Sequence, residues 1–362
     1  MSFTVFDGDD NSNIESRVIN VAAINDAPVL SSIEALPASY TENGVPASVT
    51  GNLSIDDPDD TQIESATVTI SNFFNGDDLS FTSLFGITGS FVGDTLSLSG
   101  SASLAQYEAV IHSIVYSNTD ENPSPATRTV EIVVNDGSLD SNPISRDVEV
   151  VPVNDAPTLS SIEGLPASYI ENGVPTGITG NLSIADVDNT QIESATVTIS
   201  NYVANEDILS VVEQFGITGN YASGVLSLSG SASLAQYEAV IHSVAYTNLS
   251  DDPSAATRTV EIVVNDGDSD SAPVFRDVEV NPVNDAPVVS GIETSLRSYP
   301  ENSGPAAFSS MVSLLDVDDV NLDSAVVKIT GNYTAGEDIL SLSGSHGVTL
   351  SLIHISEPTR PY

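Results

Sequence analysis

Acidic residues recur at four places in this chain, always in the same order, and side chains of this type can bind a metal cation. The first place is a glutamate before asparagine, the second a D-x-D pair, the third the aspartate of NDG, and the fourth the aspartate of NDAP. The glutamates are Glu42, Glu171 and Glu301, and the D-x-D pairs are Asp57 with Asp59, Asp186 with Asp188, and Asp316 with Asp318. The NDG aspartates are Asp136 and Asp266, with Asp7 as a partial counterpart, and the NDAP aspartates are Asp26, Asp155 and Asp285.

The chemistry that these residues suit best is calcium binding. Ca²⁺ takes about six to eight hard oxygen ligands from carboxylates, amides and backbone carbonyls, with tolerant geometry. A D-x-D loop can aim two carboxylates at one ion, and neighbouring Asn and Gly add carbonyls and freedom to turn. The alternative interpretation is that each motif is a β-turn or a solvated loop, copied by duplication. Carboxylates about 4 Å apart repel by ~1 kcal/mol in water and ~4 kcal/mol at an effective dielectric near 20, so converging groups need a cation.

Composition limits the classes of partner and of fold. With 51 acidic and eight basic residues the formal net charge is −43, which would repel nucleic acid and anionic membranes. The hydrophobic content of 40% and its regular alternation favour packed sheets over disorder. There is no cysteine, so neither disulfides nor thiolate metal sites can stabilise the fold.

The chain is a tandem repeat. The NDAP motif begins at Asn25, Asn154 and Asn284, about 130 residues apart, and blocks such as TQIESATVTIS and RTVEIVVNDG recur between these points. The predicted units are the end of a preceding repeat at 1–28, complete repeats at 29–157 and 158–287, and a truncated repeat at 288–351. We therefore expect the chain to be a fragment of a longer array. Residues 352–362, LIHISEPTRPY, continue no strand pattern of the earlier repeats and resemble a translated sequencing adapter, so we expect this tail to be non-native.

The elements that must position the carboxylates are strands. Apolar residues alternate with polar ones in stretches such as 66–71, 96–98, 130–134 and 148–150, and Gly, Asn, Asp and Pro clusters separate these stretches. About seven antiparallel strands per repeat predict a β-sandwich of immunoglobulin type. The segment SLAQYEAV breaks the period, because Leu104, Tyr107 and Ile111 have helical spacing and Ser103 with Gln106 could form a capping box. We predict one short helical turn per repeat.

No arrangement typical of an enzyme is evident. His112 and His242 lie in a stretch that reads as a strand, and no serine has a histidine and a carboxylate in a recognisable order. The paired carboxylates recur at linkers, where a sugar cleft is not expected. The sequence predicts a protein without catalytic residues.

The order NDAP, glutamate, D-x-D and NDG resembles that of cadherin repeats. With its VNDAP linkers and LSGSASLAQYEA segment, the chain resembles more closely the cadherin-like tandem repeats of large bacterial RTX-type surface adhesins, over residues 1–351. The resemblance implies Ca²⁺ at the junctions between repeats. For the junction between the complete repeats it implies Glu42, Asn154, Asp155, Asp186, Asp188 and Asp266 as ligands. For the junction before it the implied ligands are Asp26, Asp57, Asp59 and Asp136, and for the junction after it Glu171, Asp285, Asp316 and Asp318.

Two departures from the cadherin pattern concern the glutamates. Proline precedes the glutamate only at Pro300, and the cadherin D-R-E motif is missing. Asp120 with Glu121, or Asp251 with Asp252, could replace that motif from the loop before the penultimate strand.

The resemblance implies an extracellular or bacterial cell-surface protein that supports cell adhesion or biofilm formation. We expect the repeats to form a calcium-rigidified extension module. Two alternatives remain open: the repeats themselves bind like repeats or surface polysaccharide, or they form a calcium-independent stalk.

Overall fold

The computed structural model describes residues 1–344, 347–349 and 351, so the predicted non-native tail at 352–362 lies outside the described residues. The chain divides into two compact units, Met1–Val283 and Asn284–Tyr362. No helix in the described part of the chain is long and apolar enough to cross a membrane.

The first complete repeat is all-β with one helix, as predicted. Two short strands precede it: β1 (Ser2–Phe3) and β2 (Glu15–Ser16). Its own elements are β3 (Val29–Ser31), β4 (Ala38–Thr41), β5 (Ala47–Ser48), β6 (Ser54–Asp56), β7 (Gln62–Ile70), β8 (Asp77–Ser80), β9 (Thr88–Val92), β10 (Thr95–Ser103), α1 (Leu104–Ile111), β11 (Val115–Asn118), β12 (Arg128–Asn135) and β13 (Ile144–Val151).

The second complete repeat has the same elements in the same order. They are β14 (Thr158–Ser160), β15 (Ala167–Ile170), β16 (Thr176–Gly177), β17 (Ser183–Ala185), β18 (Gln191–Ile199), β19 (Asp207–Ser210), β20 (Thr218–Ala222), β21 (Val225–Ser233), α2 (Leu234–His242), β22 (Ala245–Asn248), β23 (Arg258–Asn265) and β24 (Val274–Asn281). The second unit contains β25 (Val288–Ser290) and β26 (Ser313–Leu315), which pair antiparallel.

Each complete repeat has a larger and a smaller sheet. In the first repeat the larger sheet has the order β4-β13-β12-β7-β10-β9, the smaller one β5-β11-β8, and β3 pairs with β6. Within this mainly antiparallel arrangement β4 runs parallel to β13, so the beginning and the end of the repeat meet at one edge. There are more strands than the roughly seven predicted, because proline and glycine divide the early part of the repeat into pieces of two to four residues.

The alternating residues of the sequence form two separate cores. Val68, Ile132 and Leu98 are buried in the first core, and Val197 and Ile262 hold the equivalent places in the second. The predicted period of two is therefore confirmed. The repeat boundaries at 28, 157 and 287 remain predictions, although each core lies within one predicted repeat.

The predicted helical turn is confirmed as α1 and α2. Ser103 and Gln106 form a capping box at the start of α1, with the Ser103 N–H donating to Gln106 Oε1 at 3.0 Å. Tyr107 and Ile111 of this helix are buried in the core. The histidines were misplaced, because His112 caps the end of α1 and His242 ends α2 rather than lying in strands. Their Nε2 atoms lie 2.8 and 2.9 Å from backbone carbonyl oxygens, which gives both rings a structural partner.

Each sandwich contains a buried ion pair that no sequence motif indicates. Arg128 and Asp77 have no exposed side-chain surface, and the Arg128 Nε atom lies 3.1 Å from both carboxylate oxygens of Asp77. Tyr116 donates a hydrogen bond to the same carboxylate at 2.5 Å. Arg258, Asp207 and Tyr246 repeat the arrangement in the second sandwich.

The remaining basic residues of the complete repeats also lie against carboxylates. Arg146 Nη1 is 3.7 Å from Glu34 Oε2, and Arg276 Nη1 is 3.1 Å from Glu163 Oε2. All four arginines of residues 29–287 are therefore paired in the structure, and that range has no lysine. The other carboxylates have little cationic charge beside them.

Glutamine at position 163 should destabilise the second repeat by about 1–2 kcal/mol at pH 7, because hydrogen bonds to a charged group are lost. Burial raises the pKa of Glu163, but hydrogen bonds from Gly180 and Thr179 and the Arg276 charge outweigh it and lower the pKa to about 2. A lowered folded-state pKa contributes stability above the unfolded pKa that is lost as the pH falls toward 2. Urea unfolding at pH 7 and pH 3 should show the Glu163→Gln deficit shrinking in acid. The exposed Glu279→Gln should show no deficit at either pH, and a deficit for Glu163→Gln that does not depend on pH would contradict the expectation.

Candidate metal centre

Each D-x-D motif of the described chain folds into the same turn. In the first repeat Asp57 Oδ1 accepts hydrogen bonds from the backbone N–H groups of Asp59 at 3.1 Å and Asp60 at 2.9 Å. Asp186 and Asp316 accept the equivalent bonds in their own loops. The turn forms because an aspartate side chain readily accepts hydrogen bonds from the backbone N–H groups that follow it. It uses one carboxylate oxygen and leaves the other free to face a ligand.

The NDAP linker is attached to the D-x-D loop through its aspartate. The Asp155 N–H donates to Asp188 Oδ2 at 2.6 Å, and the Asp26 N–H donates to Asp59 Oδ1 at 3.2 Å. In the second unit the Asp285 N–H donates to Asp318. The two motifs that the sequence analysis assigned to one site are therefore in contact in each of the three cases.

A cluster of carboxylates forms where the two complete repeats meet. Oxygen atoms of Glu42, Glu121 and Asp155 lie within 4.8 Å of one another. Oxygens that share one Ca²⁺, each about 2.3–2.6 Å from it, lie at most about 5 Å apart, so this spacing fits a single ion. Glu42 is only 4% exposed, and its Oε2 accepts a hydrogen bond from the Val153 N–H at 2.8 Å. We refer to these three residues as the junction cluster.

A second cluster lies at the beginning of the first repeat. Asp57, Asp60 and Asp136 place carboxylate oxygens within 4.8 Å of one another. Asp136 Oδ1 accepts from the N–H groups of Ser138 and Leu139 at 2.6 and 2.8 Å, and its Oδ2 accepts from Asn25 Nδ2 at 2.8 Å. The NDG loop and the linker are thus joined at this second cluster.

The second repeat has a less acidic version of the same arrangement. Asn189 stands where the first repeat has Asp60, and its Nδ2 donates to Asn154 Oδ1 at 2.7 Å. Asn154 in turn donates to Asp266 Oδ2 at 2.9 Å. Asp266 therefore lies with Asn154 and Asn189, whereas Asp155 lies with Glu42 and Glu121. The single set that the resemblance implied for this junction is divided into two neighbouring groups.

Several buried carboxylate oxygens at these places have no hydrogen-bond partner. In the described part of the chain, the buried side-chain oxygens without a partner are Glu42 Oε1, Asp57 Oδ2, Glu171 Oε1, Asp186 Oδ2 and Asp188 Oδ1. All of them belong to residues proposed as ligands from the sequence. A buried polar atom without a partner costs about 1–3 kcal/mol, and more when it is charged, so these oxygens have the chemistry that would suit a cation.

The remaining predicted ligands are placed as follows. Glu171 is 5% exposed and accepts a hydrogen bond from the Val283 N–H at 2.7 Å, as Glu42 does from Val153. Asp26 and Asp59 are exposed at the beginning of the first repeat. Glu301, which has the motif of Glu42 but was not predicted as a ligand, is exposed in the second unit.

Two members of the clusters were missed or only partly anticipated. Asp60 lies one residue beyond the D-x-D pattern, so the motif does not identify it, although the turn at Asp57 brings it into the cluster. The sequence indicates Glu121 only as a replacement for the missing D-R-E motif. Its signal was the acidic pair that it forms with Asp120 in a proline-containing loop.

The carboxylates of the junction cluster and Asp266 have pKa shifts in opposite directions. Burial raises the pKa of Glu42, and the charges of Asp155, Asp188 and Glu121 raise it further against the hydrogen bond from Val153. Burial also raises the pKa of Asp155, with the Asp188 and Glu121 charges adding to it. For Asp266, burial raises the pKa, but hydrogen bonds from Ser269, Asn154 and Asp268 outweigh it and lower the pKa. The junction cluster thus contains carboxylates that repel one another, which a divalent cation would relieve.

Comparisons with known proteins give limited matches. No protein-family model matches the chain. A segment of 144 residues is 32% identical to halomucin of Haloquadratum walsbyi, and the match covers 38% of this chain and 2% of halomucin. Among solved structures, protocadherin gammaB7 EC3-6 aligns with 16% identity and a TM-score of 0.32 over 81% of this chain and 61% of that one. Mouse cadherin-23 EC22-24 aligns with 13% identity and a TM-score of 0.31 over 73% of this chain and 69% of that one. At these TM-scores the alignments carry no argument, and the β-sandwich architecture rests on the strand pairing described above.

Proposed function

We propose that the chain is a calcium-binding, cadherin-like extension segment whose repeats are held together by Ca²⁺ at their junctions. The observation that carries the proposal is the set of buried carboxylate oxygens without a partner at Glu42, Asp57, Glu171, Asp186 and Asp188. Oxygen-only ligands and a high local negative charge suit a hard cation such as Ca²⁺.

The residues proposed to hold the ion at the junction of the two complete repeats are Glu42, Glu121 and Asp155, with Asp186 and Asp188 beside them. Asp57, Asp60 and Asp136 are proposed to hold the ion at the junction before it. Glu171 in the first unit, and Asp285, Asp316 and Asp318 in the second unit, are proposed as ligands from their motifs, each within its own unit. Bound Ca²⁺ would supply positive charge that offsets the repulsion among these carboxylates. The chain supplies the turns and linker hydrogen bonds that fix their positions.

The proposed setting is the outside of a cell. Extracellular calcium modules bind with dissociation constants of about 10⁻⁴ to 10⁻³ M, so such junctions would fill only where calcium is abundant. The motif order supports a role in a bacterial surface adhesin of RTX type, in which the repeats hold a binding region away from the cell and serve adhesion or biofilm formation. The absence of enzymatic activity remains a prediction.

Proteolysis of the full chain tests whether calcium stiffens the junction. With proteinase K in EDTA, we expect cleavage within 151–157, and in CaCl2 we expect these residues to resist cleavage while the sandwiches remain intact. MgCl2 at the same concentration controls for charge screening, and mass spectrometry locates the cuts. Equal cleavage of this linker in EDTA, MgCl2 and CaCl2 would refute the proposed role of calcium.

The second candidate function is direct binding of the repeats to one another, and exposed aromatic residues favour it. Phe73 and Phe85 are 41% and 52% exposed, and Phe73 lies beside Phe91 with ring centroids 6.3 Å apart. Beads coated with the full chain should aggregate in calcium if the repeats bind one another, and Phe73→Ser should reduce that aggregation. Beads that remain dispersed would favour the extension role alone.

A further inference from the structure

The residue that completes the junction cluster, Glu121, comes from the loop between β11 and β12, residues 119–127, which we call the ligand loop. Glu121 itself is exposed, and its carboxylate accepts one long hydrogen bond, from Asn43 Nδ2 at 3.3 Å. Its own contacts are therefore too weak to fix its place, and the position of its backbone depends on the rest of the loop.

The C-terminal side of the ligand loop is held by the buried arginine. Arg128 Nη1 donates to the carbonyl oxygen of Ser124 at 2.7 Å and also to that of Ala126. The Nε side of the same guanidinium lies against Asp77, which fixes the plane of the fork. One side chain thus connects the buried carboxylate to two backbone groups of the loop.

The N-terminal side of the loop is held by the same carboxylate. Asp77 Oδ1 accepts a hydrogen bond from Asn118 Nδ2 at 2.7 Å, and Asn118 Oδ1 accepts one from the Asp120 N–H at 2.8 Å. Tyr40 donates to the Asn118 carbonyl oxygen at 2.9 Å. Gly76, just before β8, accepts a hydrogen bond from the Thr119 N–H at 3.0 Å, and its φ of +86° is a conformation that favours glycine.

The loop also reaches the next repeat. Asn122, the residue after Glu121, donates through Nδ2 to the Val187 carbonyl oxygen at 2.9 Å, and Val187 is the middle residue of the second D-x-D motif. Both ends of the loop are therefore tied to Asp77, and its tip is tied to the loop that carries Asp186 and Asp188.

We propose that the buried Arg128–Asp77 pair is a positioning group for Glu121 and thereby sets the calcium affinity of the junction without touching the ion. The inference rests on the proposed function and adds its regulation by residues inside the first sandwich. Groups that orient metal ligands typically change affinity by about 10–100-fold when they are altered.

Arg128→Lys separates the positioning of Glu121 from the general stability of the first repeat. Arg128→Lys keeps the charge beside Asp77 but loses the planar fork that also reaches Ser124 and Ala126. The matched control is Arg258→Lys, which makes the same change in the second repeat, where the guanidinium holds the loop at 249–257. That control makes the equivalent change inside the second sandwich, where Glu206 is a further partner of the arginine, and it leaves the contacts of the ligand loop unchanged.

The measurement is hydrogen exchange by mass spectrometry on the full chain, titrated with CaCl2 and compared with EDTA. We expect calcium to protect the ligand loop and the linker at 151–157 in the wild type. Arg128→Lys should raise the calcium concentration at half-protection about tenfold and should speed exchange of the ligand loop in EDTA. Arg258→Lys should leave both quantities at this junction unchanged.

The outcomes are distinguishable. A wild type that calcium does not protect would overturn the proposed function, and the inference with it. If calcium protects the wild type but Arg128→Lys and Arg258→Lys have the same calcium concentration at half-protection, the inference alone is overturned. If Arg128→Lys lowers the protection of the β13 core, a milder variant, Tyr40→Phe, replaces it. Its control is Tyr169→Phe, because Tyr40 donates to Asn118 whereas Tyr169 donates to Asn248. The same shift is expected for Tyr40→Phe, and its absence would overturn the inference.

Discussion

Asparagine in place of Asp77 is expected to destabilise the first repeat by about 3–5 kcal/mol, because it leaves a buried arginine without its counter-charge. Arg128 and Asp77 are both fully buried, so water cannot solvate the guanidinium that remains. The change also weakens the acceptor for Tyr116 and Asn118. Hydrogen exchange of β13 measures the loss, since β13 differs in sequence from its counterpart β24 and the two repeats can be followed separately.

The second repeat provides an internal comparison for this prediction. Arg258 lies 3.2 Å from Glu206 as well as near Asp207, whereas the first repeat has Gly76 at the position of Glu206. Asp207→Asn should therefore destabilise its repeat less than Asp77→Asn does. The exposed Asp252→Asn, which removes the same charge, should change neither repeat. Equal and small effects of all three substitutions would contradict the account of the buried pair.

Glutamine in place of Glu42 is expected to have opposite effects without and with calcium. Without calcium it should stabilise the first repeat, because it removes a buried charge that faces Asp155, Asp188 and Glu121. With calcium it should weaken binding at the junction by at least about 100-fold, since altering even a group that only orients a ligand can have that effect. Thermal unfolding in EDTA and a calcium titration followed by exchange of the linker at 151–157 measure the two effects.

The control for Glu42 is the equivalent glutamate of the next repeat. Glu171 has the same burial and the same type of backbone hydrogen bond, but it lies beside Val283 rather than Val153. Glu171→Gln should leave the titration at the junction between the complete repeats unchanged. If both substitutions shift that titration equally, the junction cluster does not bind the ion.

The effect of Glu42→Gln on stability should depend on pH, because the pKa of Glu42 is raised in the folded chain. The pKa of Glu42 is raised in the folded chain, so its contribution to stability is fully present below the unfolded pKa and is lost as the pH rises through the folded pKa. In EDTA the stability gained by Glu42→Gln should therefore grow as the pH rises from the unfolded pKa of Glu42 to its raised folded pKa, and then level off. Taking the difference between variant and wild type cancels the opposite contributions of Asp136 and Asp266, whose pKa values are lowered.

Local patterns in the sequence were sufficient to predict the strands, the helix and most candidate ligands. Alternation identified β7, β10, β12 and β13, because burial on one face imposes a period of two wherever a sheet covers a core. The capping box at Ser103 identified α1 because its two partners are three residues apart. The D-x-D and NDAP motifs identified places that the structure joins through Asp155 and Asp188.

Features that depend on distant residues could not be predicted in this way. Asp77 and Arg128 are 51 residues apart and carry no shared motif, so their pairing appears only when β8 and β12 are packed in one sandwich. The division of the ligands into two groups depends on Asn154 turning toward Asp266 while Asp155 turns toward Glu42. Adjacent residues of one motif therefore serve different clusters, which spacing alone does not show.

The central claim is that calcium holds the junctions, and calorimetry of the full chain tests it most directly. The chain should be scanned in about 150 mM NaCl with EDTA, with about 10 mM MgCl2 and with about 10 mM CaCl2, because salt and a second divalent cation control for screening of its negative charge. At a dissociation constant near 10⁻⁴ M, 10 mM calcium adds about 2.7 kcal/mol per site, so Tm should rise clearly in CaCl2 and much less in MgCl2. The same Tm in CaCl2 as in MgCl2 and EDTA would contradict the account.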